Sequence, residues 1–100
     1  MVKRIIVKSV EEFEEMLQKK DIKISKAIVE VALQNIKSKK RFIPILEVHI
    51  QDEESIFDIT LDRNNLVETL KQNLEIFEIH EEYEGCARIA SAIKSLESRI

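Results

Sequence analysis

One thiol and two imidazoles are the side chains of this 100-residue chain best suited to nucleophilic or metal chemistry, and their spacing argues against both. Cys86 becomes a nucleophile only with a base at hand to take its proton. His80 stands six residues away, more than one helical turn and across an expected loop. As a lone cysteine, Cys86 forms no internal disulfide and completes no zinc box, so it reads as a small buried hydrophobe. His49 and His80 fall in different elements, with no Cys, Asp or His at ligand spacing on a shared face, and no metal site is expected. "QDEES" gathers carboxylates near Asp58 and Asp62, yet lacks the glycine and the spacing of a calcium loop. No Ser–His–Asp arrangement can be assembled, and a single glycine rules out a glycine-rich phosphate loop. These residues predict no catalytic centre, no cofactor and no enzyme.

The strongest electrostatic feature is "KSKKR", in which Lys37, Lys39, Lys40 and Arg41 precede Phe42. A knot of cations beside an aromatic ring is a candidate contact for the phosphates of a nucleotide or nucleic acid. Cations that follow a helix have a simpler role, complementing its dipole. The net charge of -3 supplies no general pull toward nucleic acid or anionic membrane.

The elements that would position these groups follow from periodicity. At 44% hydrophobic and 35% charged, the chain has enough apolar residues for one modest core and enough charge for a solvated exterior. One glycine and one proline favour helices with short connections over a turn-rich all-β fold. "KRIIVK" reads as a strand over 3–8. Ser9 with Glu12 forms a capping box for a helix whose stripe is Val10, Phe13, Met16 and Leu17. Ile28, Val31, Ala32 and Ile36 recur at helical spacing with Ser25 as cap, so 26–38 favours helix over a competing strand. "FIPILEVHI" alternates, with Leu46, Val48 and Ile50 facing one way, and Pro44 demands a strand start or an edge there. "IFDITL" returns antiparallel with Phe57, Ile59 and Leu61 on its dry face.

From Leu66 the period lengthens to Leu70, Leu74 and Phe77, with Asn65 or Asp62 as cap. A last helix begins near Tyr83, its stripe running through Cys86, Ile89 or Ala90, Ile93, Leu96 and Ile100. Gly85, Cys86, Ala87 and Ala90 would let these two helices approach closely as an antiparallel hairpin. The expected fold is α+β: a small antiparallel sheet (3–8, 43–50, 56–61) with helices on one face, ending in a helical hairpin (about 65–80 and 83–99). It forms a single domain over 1–100, with 1–62 as its α/β front and 63–100 as the hairpin.

The run "EEYEGCARIASAIKSLE" resembles the UVR motif of the excision-repair proteins UvrB and UvrC and of McsA-type kinase adaptors. Glu82, Tyr83, Glu84, Cys86, Ala87, Ile89, Ile93, Lys94, Leu96 and Glu97 fit that motif. Ala90 and Ser91 stand where the family usually carries Arg-Asp. The resemblance implies a protein-binding module with no catalytic role. A small α/β front joined to such a hairpin also resembles accessory proteins of large tailed bacteriophages.

The functional expectation is a small non-enzymatic interaction or regulatory protein, acting through Tyr83, Ile89, Ile93 and Leu96 on a protein partner or as a dimer. Its motive is an apparent excess of apolar positions on the last two helices: Val67, Ile76, Ile79, Ile89, Ala92 and Ile100. The alternative is a nucleotide- or nucleic-acid-binding protein using Lys37, Lys39, Lys40 and Arg41. The absence of a leader after Met1 and of a membrane-length apolar run predicts a cytoplasmic protein with no membrane partner, in a host cytoplasm if viral.

Overall fold

A computed structural model describes residues 2–98 of the chain. The elements are β1 (Lys3–Val7), α1 (Val10–Gln18), α2 (Ile22–Gln34), β2 (Phe42–Ile50) and β3 (Ser55–Asp62). A 3-10 turn (Arg63–Asn65), α3 (Leu66–Ile79) and α4 (Tyr83–Glu97) complete the fold. The sheet order is β1-β2-β3, so β2 is central. Strands β2 and β3 form the expected antiparallel pair, closed by a turn over 51–54. Strand β1 instead lies parallel to β2, Lys3 opposite Leu46 through Val7 opposite Ile50, and the sheet is mixed rather than antiparallel throughout. The cause is the connection: residues 8–41 cross over through two helices and return the chain to the end where it began, as parallel neighbours require.

Strand β2 holds one irregularity, between Pro44 and Leu46. Ile43 is buried before it, Ile45 at it, and Leu46, Val48 and Ile50 after it. One extra residue shifts the alternation by one step, so both halves of the strand point their aliphatic side chains into the core. Proline is tolerated in this central strand because β1 reaches only to Leu46, leaving the Pro44 end of β2 with a single paired neighbour.

The segment 26–38 is helical as far as Gln34. Asp21, not Ser25, caps it, accepting from the Lys23 amide at 2.8 Å. Ser25 faces inward, where its hydroxyl donates to Asn73 Oδ1 at 2.6 Å, and Asn73 Nδ2 donates to the Thr69 carbonyl at 2.8 Å. A buried pair of this kind fixes how α2 and α3 sit against each other, since sliding either helix leaves a polar atom unpartnered. At α1 the capping box forms on one side: Ser9 Oγ accepts from Glu12 N at 3.1 Å, while the Glu12 carboxylate takes the Lys8 amide rather than that of Ser9.

Helices α1 and α2 lie on one face of the sheet, α3 packs on α2, and α4 on α3 with a touch of α2. The Cα envelope of 45 × 31 × 17 Å is one sheet and one helical layer deep. A single buried cluster draws on every strand and α-helix, from Val7 and Phe13 through Val31, Val48 and Leu61 to Leu70 and Ile89. Helices α1 and α3 end alike: amides beyond each helix close the carbonyls of Glu15, Met16 and Leu17 in α1 and of Ile76, Phe77 and Glu78 in α3. The residues that make those turns, Lys20 (φ 54°) and Glu81 (φ 57°), are in the left-handed region without being glycine. Gly85 serves packing: a Cβ there would fall inside 3.0 Å of the Phe77 ring, so its bare backbone is what lets α4 meet α3.

Candidate functional site

The groups with chemical potential are dispersed. Cys86 is half-buried in the hairpin. His80 donates through Nε2 to the Lys20 carbonyl at 3.0 Å, tying the end of α3 to the α1–α2 turn. His49 Nε2 hydrogen-bonds Glu47 Oε1 at 2.5 Å on the outer side of β2. That hydrogen bond holds the Glu47 carboxyl below the usual carboxylate range, with the Arg4 guanidinium 3.4 Å away as a lesser cause. Among the described residues, no three His, Cys, Asp or Glu side chains gather closely enough to hold a metal ion.

The four residues expected to bind a partner do not share a surface. Tyr83 is 69% exposed beside the hairpin turn, but Ile89 is fully buried, Ile93 is 8% exposed and Leu96 is half-buried against the core. The supposed surplus is largely absorbed within the chain. Ala92 is buried, Val67 and Ile76 are half-buried, Ile79 is exposed, and Ile100 lies outside the described residues. The physical reason is α2. A two-helix hairpin alone cannot cover both flanks, but α2 packs beside α3 and reaches α4, supplying a third wall. Of the small residues thought to admit close approach, Gly85 does so, whereas Ala87 and Ala90 face solvent.

Lys37, Lys39, Lys40 and Arg41 are all exposed, in a loop after α2 rather than in its last turn. The dipole is answered from elsewhere. Arg63 donates from its guanidinium to the carbonyls of Asn35 (2.6 Å), Ile36 (3.2 Å) and Lys40 (2.7 Å), and its backbone amide to Arg41 O (2.7 Å). One side chain thus closes the end of α2 and pins both ends of the basic loop. Arg41 lies 3.6 Å from Asp62 and stacks over Phe42 at 5.2 Å. Nothing local to "LDRNN" marks Arg63 for this task, because its partners are backbone atoms more than twenty residues earlier.

A further apolar exposure falls where no site was expected, on the sheet face turned away from the helices. Ile6 is 61% exposed, Phe42 58% and Ile56 59%. Ile6, His49 and Ile56 form one cross-strand row, next to the row Arg4, Glu47 and Asp58. A shallow depression of about 430 Å³ lies at the Ile6–His49–Ile56 end of this face. Comparison with known proteins finds no matching family model, no matching curated protein and no matching solved structure. The geometry alone therefore carries the functional argument. A cue to this face is present in the sequence: three consecutive apolar residues, Ile5 to Val7, in a five-residue strand must place an aliphatic side chain on each side of the sheet.

Proposed function

We propose that this chain is a small non-catalytic interaction protein, and that its contact surface is the uncovered face of the sheet more than the flank of the hairpin. The observation behind this reading is that helices cover one face of the three strands while the other displays Ile6, Phe42 and Ile56. A two-layer domain ordinarily keeps its bare sheet face polar, and an apolar group set among charges is the composition of an interface. The UVR-like run 81–97 supports a binding role of a reduced kind, because its Tyr83 still projects at the hairpin turn, beside the exposed Ile79. No helix among the described residues is long and apolar enough to cross a membrane.

The test is capture with the chain as bait, comparing Ile6→Glu and Ile56→Glu on the sheet with Ile79→Asp and Tyr83→Ala at the hairpin. The sheet substitutions are expected to abolish association and the hairpin substitutions to leave most of it. Association that survives all four would end the reading.

A second reading, phosphate binding by the basic loop, is favoured by one observation. Lys37, Lys39 and Lys40 make no ion pair among the described residues, so their charge is unspent. A single-stranded oligonucleotide would then bind with an affinity that falls steeply with salt, the slope easing by about one for each lysine removed. Salt-insensitive association would exclude it.

A further inference from the structure

The charges on the uncovered sheet face are sorted by margin. Along one side β1 presents Arg4 and, just past its end, Lys8; along the other β3 presents Asp58, with Glu54 in the turn before it. All four are exposed. Ile6 and Ile56 occupy the same row on the opposite margins, with His49 between them.

We infer that this face packs against the same face of a second copy, about a two-fold axis that runs along β2 between the two sheets. The inference rests on the interaction reading above and supplies its partner. Face-to-face pairing of a three-stranded sheet has two simple two-folds. An axis across the strands lays β1 over β1 and β3 over β3, stacking the basic margin on itself and the acidic margin on itself. An axis along β2 lays β1 of each copy over β3 of the other. Arg4 then meets Asp58, Lys8 meets Glu54, and Ile6 meets Ile56, each contact made twice because the interface is isologous. Charge selects the second arrangement. Glu47 falls near the axis and meets its own copy, but it arrives already held by Arg4 at 3.4 Å and His49 at 2.5 Å within its own chain.

Size sets the expected strength. Three strands about 4.8 Å apart, of five, nine and eight residues at about 3.3 Å each, give a flat face of roughly 350 Å². Side-chain relief brings the area buried over both copies to about 1,000 Å², the lower end for a specific interface, so the expected dimer is a weak one, with a dissociation constant on the order of micromolar.

Sedimentation velocity over a concentration series tests this directly. The chain is expected to show a monomer–dimer equilibrium, and Ile6→Glu to leave only monomer. Arg4→Asp and Asp58→Arg are each expected to weaken dimerisation about 10-fold or more, since each turns two attractive contacts into two repulsive ones. Mixed in equal amounts, these two variants should recover a heterodimer, because each reversed charge then faces its reversed counterpart. Circular dichroism melts establish that every variant is folded, and the doubly exchanged chain R4D/D58R, which should dimerise by itself, guards against a loss due to misfolding. A chain still monomeric about 100-fold above the micromolar range overturns the inference. So does a dimer dispersed by Ile79→Asp but untouched by Ile6→Glu, or a mixture that fails to recover. A monomer that binds a different protein through Ile6 and Ile56 would end the self-pairing while leaving the interaction reading intact.

Discussion

Replacing Gly85 with alanine tests the hairpin packing through the sign of its effect. In an unobstructed helix, Gly→Ala is stabilising by up to about 1 kcal/mol, from the conformational entropy that glycine loses on folding. Here the added methyl would lie within 3.0 Å of Cδ2 and Cε2 of Phe77. That is roughly 0.5–1 Å or more inside the 3.5–4.0 Å at which carbon atoms attract. Phe77 is buried at 5% exposure, and its ring can make room only by leaving its present core packing and turning toward the cavity it lines with Val29 and Leu33. Overpacking of this kind costs about 1–3 kcal/mol, which outweighs the propensity gain and leaves Gly85→Ala destabilising by about 1 kcal/mol. The decisive measurement is a double-mutant cycle by urea denaturation at 25 °C. In a Phe77→Leu background the obstruction is gone, and the same Gly85→Ala change should become stabilising, a reversal of about 1 kcal/mol or more in coupling. Near the midpoint, 1 kcal/mol corresponds to about 4–8 °C in Tm for a domain of this size. A Gly85→Ala change that stabilises equally in both backgrounds would refute the claim that the ring sits against the bare backbone.

Three further outcomes are expected. Arg63→Ala should cost about 1–3 kcal/mol by releasing three carbonyls from a charged donor, and hydrogen exchange should report loss of protection at the end of α2 and through 36–41. Glu81→Gly should stabilise by about 0.5–1 kcal/mol in chemical denaturation, because a left-handed position strains any side-chain-bearing residue and glycine returns only part of that gain as unfolded-state entropy. Glu47 has a folded pKa below its unfolded value of about 4.3, so its contribution is present above that pH and is lost as pH falls through the lowered folded value. An NMR titration of the Glu47 carboxyl should therefore show a depressed midpoint that returns toward the ordinary value in His49→Ala, and Glu47→Gln should flatten this part of the acid limb of stability.

Local patterns proved legible where the deciding interaction is local. The capping Ser9 oxygen and the alternation of Leu46, Val48 and Ile50 depend on neighbours within a few residues, and they sit where the sequence places them. The shift at Ile45 was visible as two adjacent inward-type residues, Ile45 and Leu46, although their pairing partners were needed to read it as an irregularity. Ser25 illustrates the opposite case. Its type suits a helix start, but a partner 48 residues away, Asn73, makes it a core residue inside the helix. Ile89 and Ile93 fail as surface residues for a related reason: helical spacing shows which side chains share a stripe, not how many other elements will cover it. The bare sheet face is not legible locally because Ile6 and Ile56 become neighbours only through β2, once a crossover on one side and a turn on the other have set both registers.

The unequal connections to β2 carry a consequence for the order of assembly. Joining β3 to β2 closes only 51–54, whereas joining β1 to β2 must first immobilise everything from 8 to 41, and the chain entropy lost on closure rises with the length enclosed. The two later strands are therefore expected to meet early, and the amino-terminal strand to dock last. Amide exchange should find Ile5 and Ile6 less protected than Val48 and Leu61, and until that final strand docks, one basic margin of the sheet's outer surface does not yet exist.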